Sequence, residues 1–191
     1  MNTAADSKVG SFHKGIKEIP SQEYLRECFD YRDGWLFWKE RPKSHFPSPQ
    51  GYATFVRKCP PGKLAGCRRP DGYYKVCLNK IGLLLHRLIW VYHNGAISNE
   101  KIIDHIDMDR GNNRIENLRL ATFPENGMNA MGWKNRMHKL PKGVLRDKKK
   151  FNARIKINYK SIHLGNFATP EEASQAYQEA AKRLHGEFAK F

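Results

Sequence analysis

The stretch Glu100-Lys-Ile-Ile-Asp104-His105-Ile-Asp-Met-Asp-Arg-Gly-Asn-Asn113-Arg-Ile-Glu-Asn117-Leu-Arg-Leu-Ala-Thr122-Phe-Pro-Glu-Asn126-Gly-Met-Asn129 organises the whole chain. Ile102 and Ile103 are β-branched and read as a short strand. Residues 106–116 are rich in Asp, Asn and Gly, which bond their own backbone and favour irregular loops. Leu118 to Thr122 alternates apolar with polar and reads as a return strand. Thr122 then sits ahead of Pro124-Glu125 and a short helix. The order is strand, loop, strand, helix. Five acids (Glu100, Asp104, Asp107, Asp109 and Glu116) gather within 17 residues of a chain whose formal net charge is +15, as a cation site needs. Asp107, Asp109 and Gly111 hint at a calcium loop, but the glycine is out of register for an EF-hand and the distal Glu is missing.

Upstream, a short helix is expected around residues 24–28 and a hairpin over 29–38, with Asp33-Gly34 as its turn between aromatic runs. Residues 41–63 hold five of the ten prolines and are expected to be a loop or an extended excursion. Asp71-Gly72 signals a second turn before a strand at 73–78. Leu84, Leu85, Leu88, Ile89 and Tyr92 form one broad apolar face, so 83–93 reads as a helix closed by Asn94-Gly95. His86 and His93 lie on it beside aromatics and read as packing or hydrogen-bonding residues.

Downstream, residues 131–160 carry eleven Lys or Arg against the single acid Asp147. The stretch begins as a linker and becomes strands. Phe151, Ala153, Ile155 and Ile157 alternate with Asn152, Arg154 and Lys156, the period of a half-buried strand. A turn at 158–161 and a second strand at 162–167 follow. Thr169-Pro-Glu-Glu172 is a capping box with proline at the first helical position. Ala173, Ala176, Tyr177, Ala180 and Leu184 make one apolar helix face, and Gly186 is a stop.

The net charge of +15, from 34 Lys and Arg against 19 Asp and Glu, implies a polyanionic partner. Nucleic acid comes first, because Lys and Arg displace condensed counterions from phosphates. An anionic membrane surface is second, and charge kept only for solubility is third. No apolar run reaches the roughly 20 residues that cross a bilayer, and residues 1–15 lack the apolar centre of a secretory signal. Cys28, Cys59, Cys67 and Cys77 form no C-x-x-C pair, which argues against a zinc knuckle. They read as reduced intracellular thiols, and the expected location is cytoplasmic, in a bacterial host if the gene is a phage's.

Asp104-His105, Asn113-Arg114, Asn117-Leu-Arg119 and Glu125-Asn126 resemble the HNH endonuclease family, in its phage and intron-associated homing branch, in spacing as well as identity. The resemblance implies a compact ββα-metal core over 100–131, within a domain over 21–131, and metal-assisted hydrolysis of a DNA phosphodiester. It implies that Asp104 and Asn126 hold one divalent cation through oxygen. Two oxygen ligands favour Mg²⁺ or Mn²⁺ over zinc. It implies that His105 activates water; an unperturbed imidazole, with a pKa of roughly 6.5, suits a base near neutral pH. Asn117 would pin the loop through side chain–backbone bonds and so orient the histidine. Arg114 and Arg119 match as well, and Arg119 would hold a phosphate. One departure is Met108, where relatives often carry glycine.

Lys142-Gly-Val144, Leu164-Gly-Asn-Phe167 and Glu171-Glu-Ala173 with Ala176-Tyr177 resemble the plant ethylene-response-factor (ERF) type DNA-binding domain, over 142–191. That resemblance implies a three-stranded antiparallel sheet, packed on one helix, that enters the major groove of double-stranded DNA. Arg146, Lys148, Asn152, Arg154, Lys156, Lys160 and His163 would then face the DNA. His163 stands where the plant domains have Trp, so their base preference does not transfer. A solvated basic face that binds phosphates without sequence choice is the plainer alternative.

The expectation is therefore an α+β chain: a loose N-terminus at 1–20, hairpins and a helix leading into the ββα core, a basic linker at 132–141, and the C-terminal sheet-and-helix module. Its expected function is DNA cleavage directed by that module. No membrane, no small-molecule cofactor, and a monomer or weak dimer go with it. A non-catalytic, sequence-specific DNA-binding protein retaining the fold is the alternative. An RNA-directed or colicin-like nuclease is third, and a membrane-surface protein is last.

Overall fold

The computed structural model describes residues 18–129 and 140–189. The expected loose N-terminus and basic linker lie almost wholly outside these residues. Helices and small antiparallel sheets mix along the chain, giving an α+β fold.

The first half builds a frame for the segment around residue 104. Helix α1 (Gln22–Cys28) starts on Ser21, whose hydroxyl accepts from the Tyr24 amide. Strands β1 (Phe29–Arg32) and β2 (Trp35–Trp38) pair antiparallel around the Asp33-Gly34 turn. Residues 41–63 differ from the expected excursion, because they contain helix α2 (Pro49–Lys58). Its prolines do not break it: Pro49 occupies the first turn, where no intrahelical N–H is needed, and Ser48 caps it by accepting from the Gly51 amide. Strands β3 (Cys67–Arg68), β4 (Tyr74–Leu78) and β5 (Ile81–Leu84) form a three-stranded sheet, and α3 (Leu85–Asn94) follows β5 directly. Leu83 and Leu84 are therefore strand, not the start of the helix. An apolar run of this length fits either element, and pairing with Lys75 and Val76 decides it.

Strands β6 (Ile102–His105) and β7 (Leu118–Ala121) pair antiparallel, and α4 (Phe123–Asn129) leaves β7 after Thr122. Thr122 and Glu125 close a capping box: the Thr122 amide donates to the Glu125 carboxylate at 2.6 Å, and the Glu125 amide to the Thr122 hydroxyl. Ile103 and Leu118 share one buried cluster with Leu25, Phe29, Leu36, Val76, Leu88 and Ile89. The ββα segment is thus rooted in the core of the upstream frame. Each fully buried Leu or Ile there contributes about 1.5–3 kcal/mol.

The C-terminal part has its own small core. Strands β8 (Val144–Asp147), β9 (Lys150–Ile157) and β10 (Lys160–Phe167) form an antiparallel sheet in the order β10-β9-β8. Helix α5 (Pro170–His185) packs across it with Ala173, Tyr177, Ala180 and Ala181 against Ala153 and Ile155. Gly143 has φ +75°, and a Cβ there would collide with the Tyr177 ring, so glycine lets the start of the sheet reach the helix. The two parts touch. A 3-10 turn (Gly186–Phe188) meets Arg119 of β7, and Lys142 Nζ donates to the Met128 carbonyl at 2.8 Å.

Candidate active site and nucleic-acid face

Asp104 and His105 end β6, each 5% exposed. A carboxylate and an imidazole taken this far from water must be held by partners. Asp104 lies opposite Arg119 on β7, and Arg119 Nε donates to Asp104 Oδ2 at 3.0 Å. His105 lies opposite Leu118, and its Nε2 is 3.2 Å from Asn113 Oδ1.

The loop between the strands is held from within. Asn117 Oδ1 accepts from the Asp107 amide at 3.1 Å, and Asn117 Nδ2 donates to Asp107 Oδ1 and to the Asn112 carbonyl. Asn112 Nδ2 donates to Asp107 Oδ2. Burial pushes the Asp107 carboxyl up, but the bonds from Asn112, Asn117 and the Asp109 amide outweigh it and leave it below its ordinary range. Met108 sits at φ +66°, a left-handed conformation natural to glycine and costly for other residues. The loop therefore makes the tight turn at a position where this chain has no glycine.

The frame presses on the same loop from outside. Gly34, at φ +86°, turns the first hairpin against the Asn113–Arg114 backbone, and a Cβ there would lie 2.7 Å from the Arg114 nitrogen. Tyr31 Oη accepts from the Ile115 amide at 3.1 Å. Arg110 donates to the Asp71 carbonyl and lies over the Tyr73 ring.

His86 belongs to this site, although its sequence context reads as packing. It is 5% exposed on α3, and its ring meets that of His105 edge-on with centroids 5.1 Å apart. Tyr73 lies against both rings. Burial, and then the neighbouring His105 and Arg87, push His86 down to about 3, so it is neutral near pH 7. Its Nδ1 is buried without a hydrogen-bond partner. Only the packing of α3 on β6 brings it here, and no spacing in the sequence signals that approach.

Asn126 lies on α4, and its amide donates to the Thr122 carbonyl. Its side-chain amide oxygen and the Asp104 carboxylate are oxygen donors of the kind a hard divalent cation takes. Among the described residues no group of three or more His, Cys, Asp or Glu could hold a metal ion, so any ion here would rely on few protein ligands. Such an ion would have to share the Asp104 carboxylate with the Arg119 guanidinium.

Arg119 departs from the expectation of a phosphate contact. Besides Asp104, it donates through Nη1 to the Glu187 carbonyl at 2.8 Å, lies 3.6 Å from the Glu187 carboxylate, and stacks 3.8 Å over the Phe188 ring. Its Nη2 is buried without a partner. The guanidinium is committed inside the protein, so Arg119 bridges the two parts of the chain. Arg114 is exposed.

On the C-terminal sheet, Arg146, Lys148, Arg154, Lys156, Lys160 and His163 are all exposed. Asn152 is not: it is 6% exposed, donates to Asn166 Oδ1 at 2.9 Å and accepts from Arg154 Nε at 2.8 Å. Both ends of its amide are occupied, so it braces Arg154 rather than presenting a base-reading edge. Leu145 and Ile162 are half-exposed near this face. Among the described residues no helix is long and apolar enough to cross a membrane.

Residues 83–128 match the family model described as HNH endonuclease. An "Uncharacterized HNH endonuclease" of Acanthamoeba polyphaga mimivirus is 34% identical over 118 residues, which is 61% of this chain and 60% of that protein. A solved structure described as DNA binding and cleavage by the HNH homing endonuclease I-HmuI is similar at 22% identity and a TM-score of 0.35, over 56% of this chain and 51% of that one. The chain thus spans three fifths of the viral relative and about half of the solved chain. The residues that match the family model run from the end of β5 into α4 and include Asp104, His105 and the loop that holds them.

Proposed function

We propose that the protein is a metal-dependent DNA endonuclease whose C-terminal sheet holds the substrate. The observation that carries this reading is Asp104-His105 at the end of β6, buried and fixed by the Asn113 and Asn117 loop, within the matched segment. Asp104 and Asn126 would hold one Mg²⁺ or Mn²⁺. When bound, the ion neutralises charge on the scissile phosphate and on the leaving oxygen. His105 takes a proton from the attacking water. Asn117 keeps the loop in shape, and the frame excludes solvent from the back of the imidazole. The exposed Arg and Lys of β8–β10 and Arg114 draw in duplex DNA through its phosphates, and tethering raises the effective concentration of the cutting site. The ERF-like reading of that sheet rests on the order of its landmarks and on the exposed basic face.

A non-catalytic DNA-binding protein is the second reading, favoured by the Arg119 guanidinium that already occupies the Asp104 carboxylate. Conversion of supercoiled plasmid to nicked or linear product separates the two. The nuclease reading expects cleavage with Mg²⁺ or Mn²⁺, abolished by chelation and lowered by about 10²–10⁴ in Asp104→Ala and in His105→Ala. Tight, salt-sensitive binding with no cleavage under any divalent cation would establish the second.

A further inference from the structure

We propose that Asn113 is the positioning residue for His105, holding its Nε2 protonated so that Nδ1 is the nitrogen that accepts the proton from water. The inference rests on the nuclease reading for its consequence, but its geometry stands alone. Asn113 is 2% exposed. Its Nδ2 donates to the Gly111 carbonyl at 3.0 Å. A carbonyl can only accept, so the amide nitrogen must face Gly111 and the amide oxygen must face His105. That oxygen can also only accept, and it lies 3.2 Å from His105 Nε2. The hydrogen between them therefore belongs to His105. In a neutral imidazole with Nε2 protonated, the lone pair is on Nδ1.

Asn113 cannot drift from this position. Its neighbour Asn112 is tied to Asp107 and Asn117. On the other side the Gly34 turn abuts the Asn113–Arg114 backbone, and Tyr31 holds the Ile115 amide. The first hairpin, far away in sequence, thus fixes the residue that fixes the histidine. The middle Asn117 shapes the loop through Asp107 and Asn112. Asn113 makes the side-chain bond with the imidazole itself.

The full-length chain, labelled with ¹⁵N, tests the assignment in two variants. Asn113→Ala removes both bonds. Asn113→Asp removes the donor to Gly111 and keeps an acceptor oxygen for His105. Both variants lack the Gly111 bond; they differ in the acceptor for His105, which Asp supplies together with a negative charge. The wild type is expected to show an Nε2-bound His105 proton protected from solvent exchange, with Nδ1 unprotonated. That protection is lost in Asn113→Ala and retained in Asn113→Asp. Single-turnover cleavage at saturating DNA is expected to fall about 10–100-fold in Asn113→Ala, with KM unchanged, and to recover most of that loss in Asn113→Asp. A wild-type His105 protonated on Nδ1, or Asn113→Asp no better than Asn113→Ala in both readouts, overturns the assignment. Should the wild type not cleave while the Nε2 proton behaves as stated, the nuclease reading fails and the hold of Asn113 on His105 stands.

Discussion

The loop around His105 and the outer face of the C-terminal sheet are both polar, yet they are built in opposite ways. In the first, Asp104 and His105 at the end of β6 and Asn113 of the loop are nearly withdrawn from water and held by named partners. On the sheet, Arg146, Lys148, Lys156 and Lys160 are exposed, and the one buried polar candidate, Asn152, is occupied between Asn166 and Arg154. Buried polar groups are costly unless satisfied, so a network like the loop fixes geometry. Exposed Lys and Arg supply long-range charge and tolerate many positions. The first region should therefore fail abruptly when one atom is lost, and the second should weaken gradually as charges are removed.

The largest expected break outside the histidine itself comes from the sheet. Replacing Arg154, Lys156 and Lys160 together by Ala should weaken duplex binding by one to two orders of magnitude. It should also flatten the dependence of log affinity on log salt by about 0.9 for each phosphate that the protein no longer neutralises. Rate at saturating DNA should persist. Fluorescence anisotropy over a salt series measures this, and an unchanged slope would remove the sheet from the DNA interface.

A smaller break tests the frame. Gly34→Ala strains the backbone and pushes a Cβ against the Arg114 nitrogen. It should cost about 1–3 kcal/mol of stability and lower the cleavage rate through the displaced Asn113. Denaturant titration with parallel cleavage kinetics reads both. Wild-type stability and rate would show that the hairpin does not brace the loop.

The smallest effect is the pH dependence from His86. Its folded pKa is pushed down to about 3 from an ordinary value of 6.5. Below pH 6.5 the unfolded chain takes up a proton that the native protein refuses. Stability is therefore lost as pH falls through that window, by up to about 1.4 kcal/mol per pH unit. His93, also lowered by burial, acts in the same direction. His86→Phe should flatten, without abolishing, the decline between pH 6.5 and 5. That range lies above the ordinary range of the carboxylates. Unfolding curves across it that match the wild type would contradict a buried, neutral His86.

Much of the fold was legible because local signals agreed with tertiary demand. β6 followed from the Ile102-Ile103 pair, β7 and the β9 strand from alternation, and α5 from its capping box and small-residue face. Helix α2 was hidden because five prolines suggested a breaker, although Pro49 sits where helices accept it and Ser48 caps the turn. Leu83-Leu84 was ambiguous between helix and strand until β4 paired with it. At the site, the family resemblance singled out Asp104, His105, Asn117 and Asn126; the structure sets Asp104 and His105 at the end of β6, ties Asn117 to Asp107 and carries Asn126 on α4. The Arg119 link to Glu187 and Phe188 could not be read in this way, because Arg119 and Glu187 stand 68 apart in sequence. His86 was hidden for a similar reason: only the packing of α3 on β6 sets its ring against His105. Met108 shows the reverse case, a position marked as unusual by sequence that proves to hold a left-handed turn.

The most direct measurement is single-turnover cleavage of end-labelled duplex with Mg²⁺ by the wild type and His105→Ala, with DNA affinity read on the same samples. The buried-site account predicts a rate lower by about 10²–10⁴ in the variant at unchanged affinity. Equal rates in the two proteins, or a loss of affinity that accounts for the whole loss of rate, would contradict it.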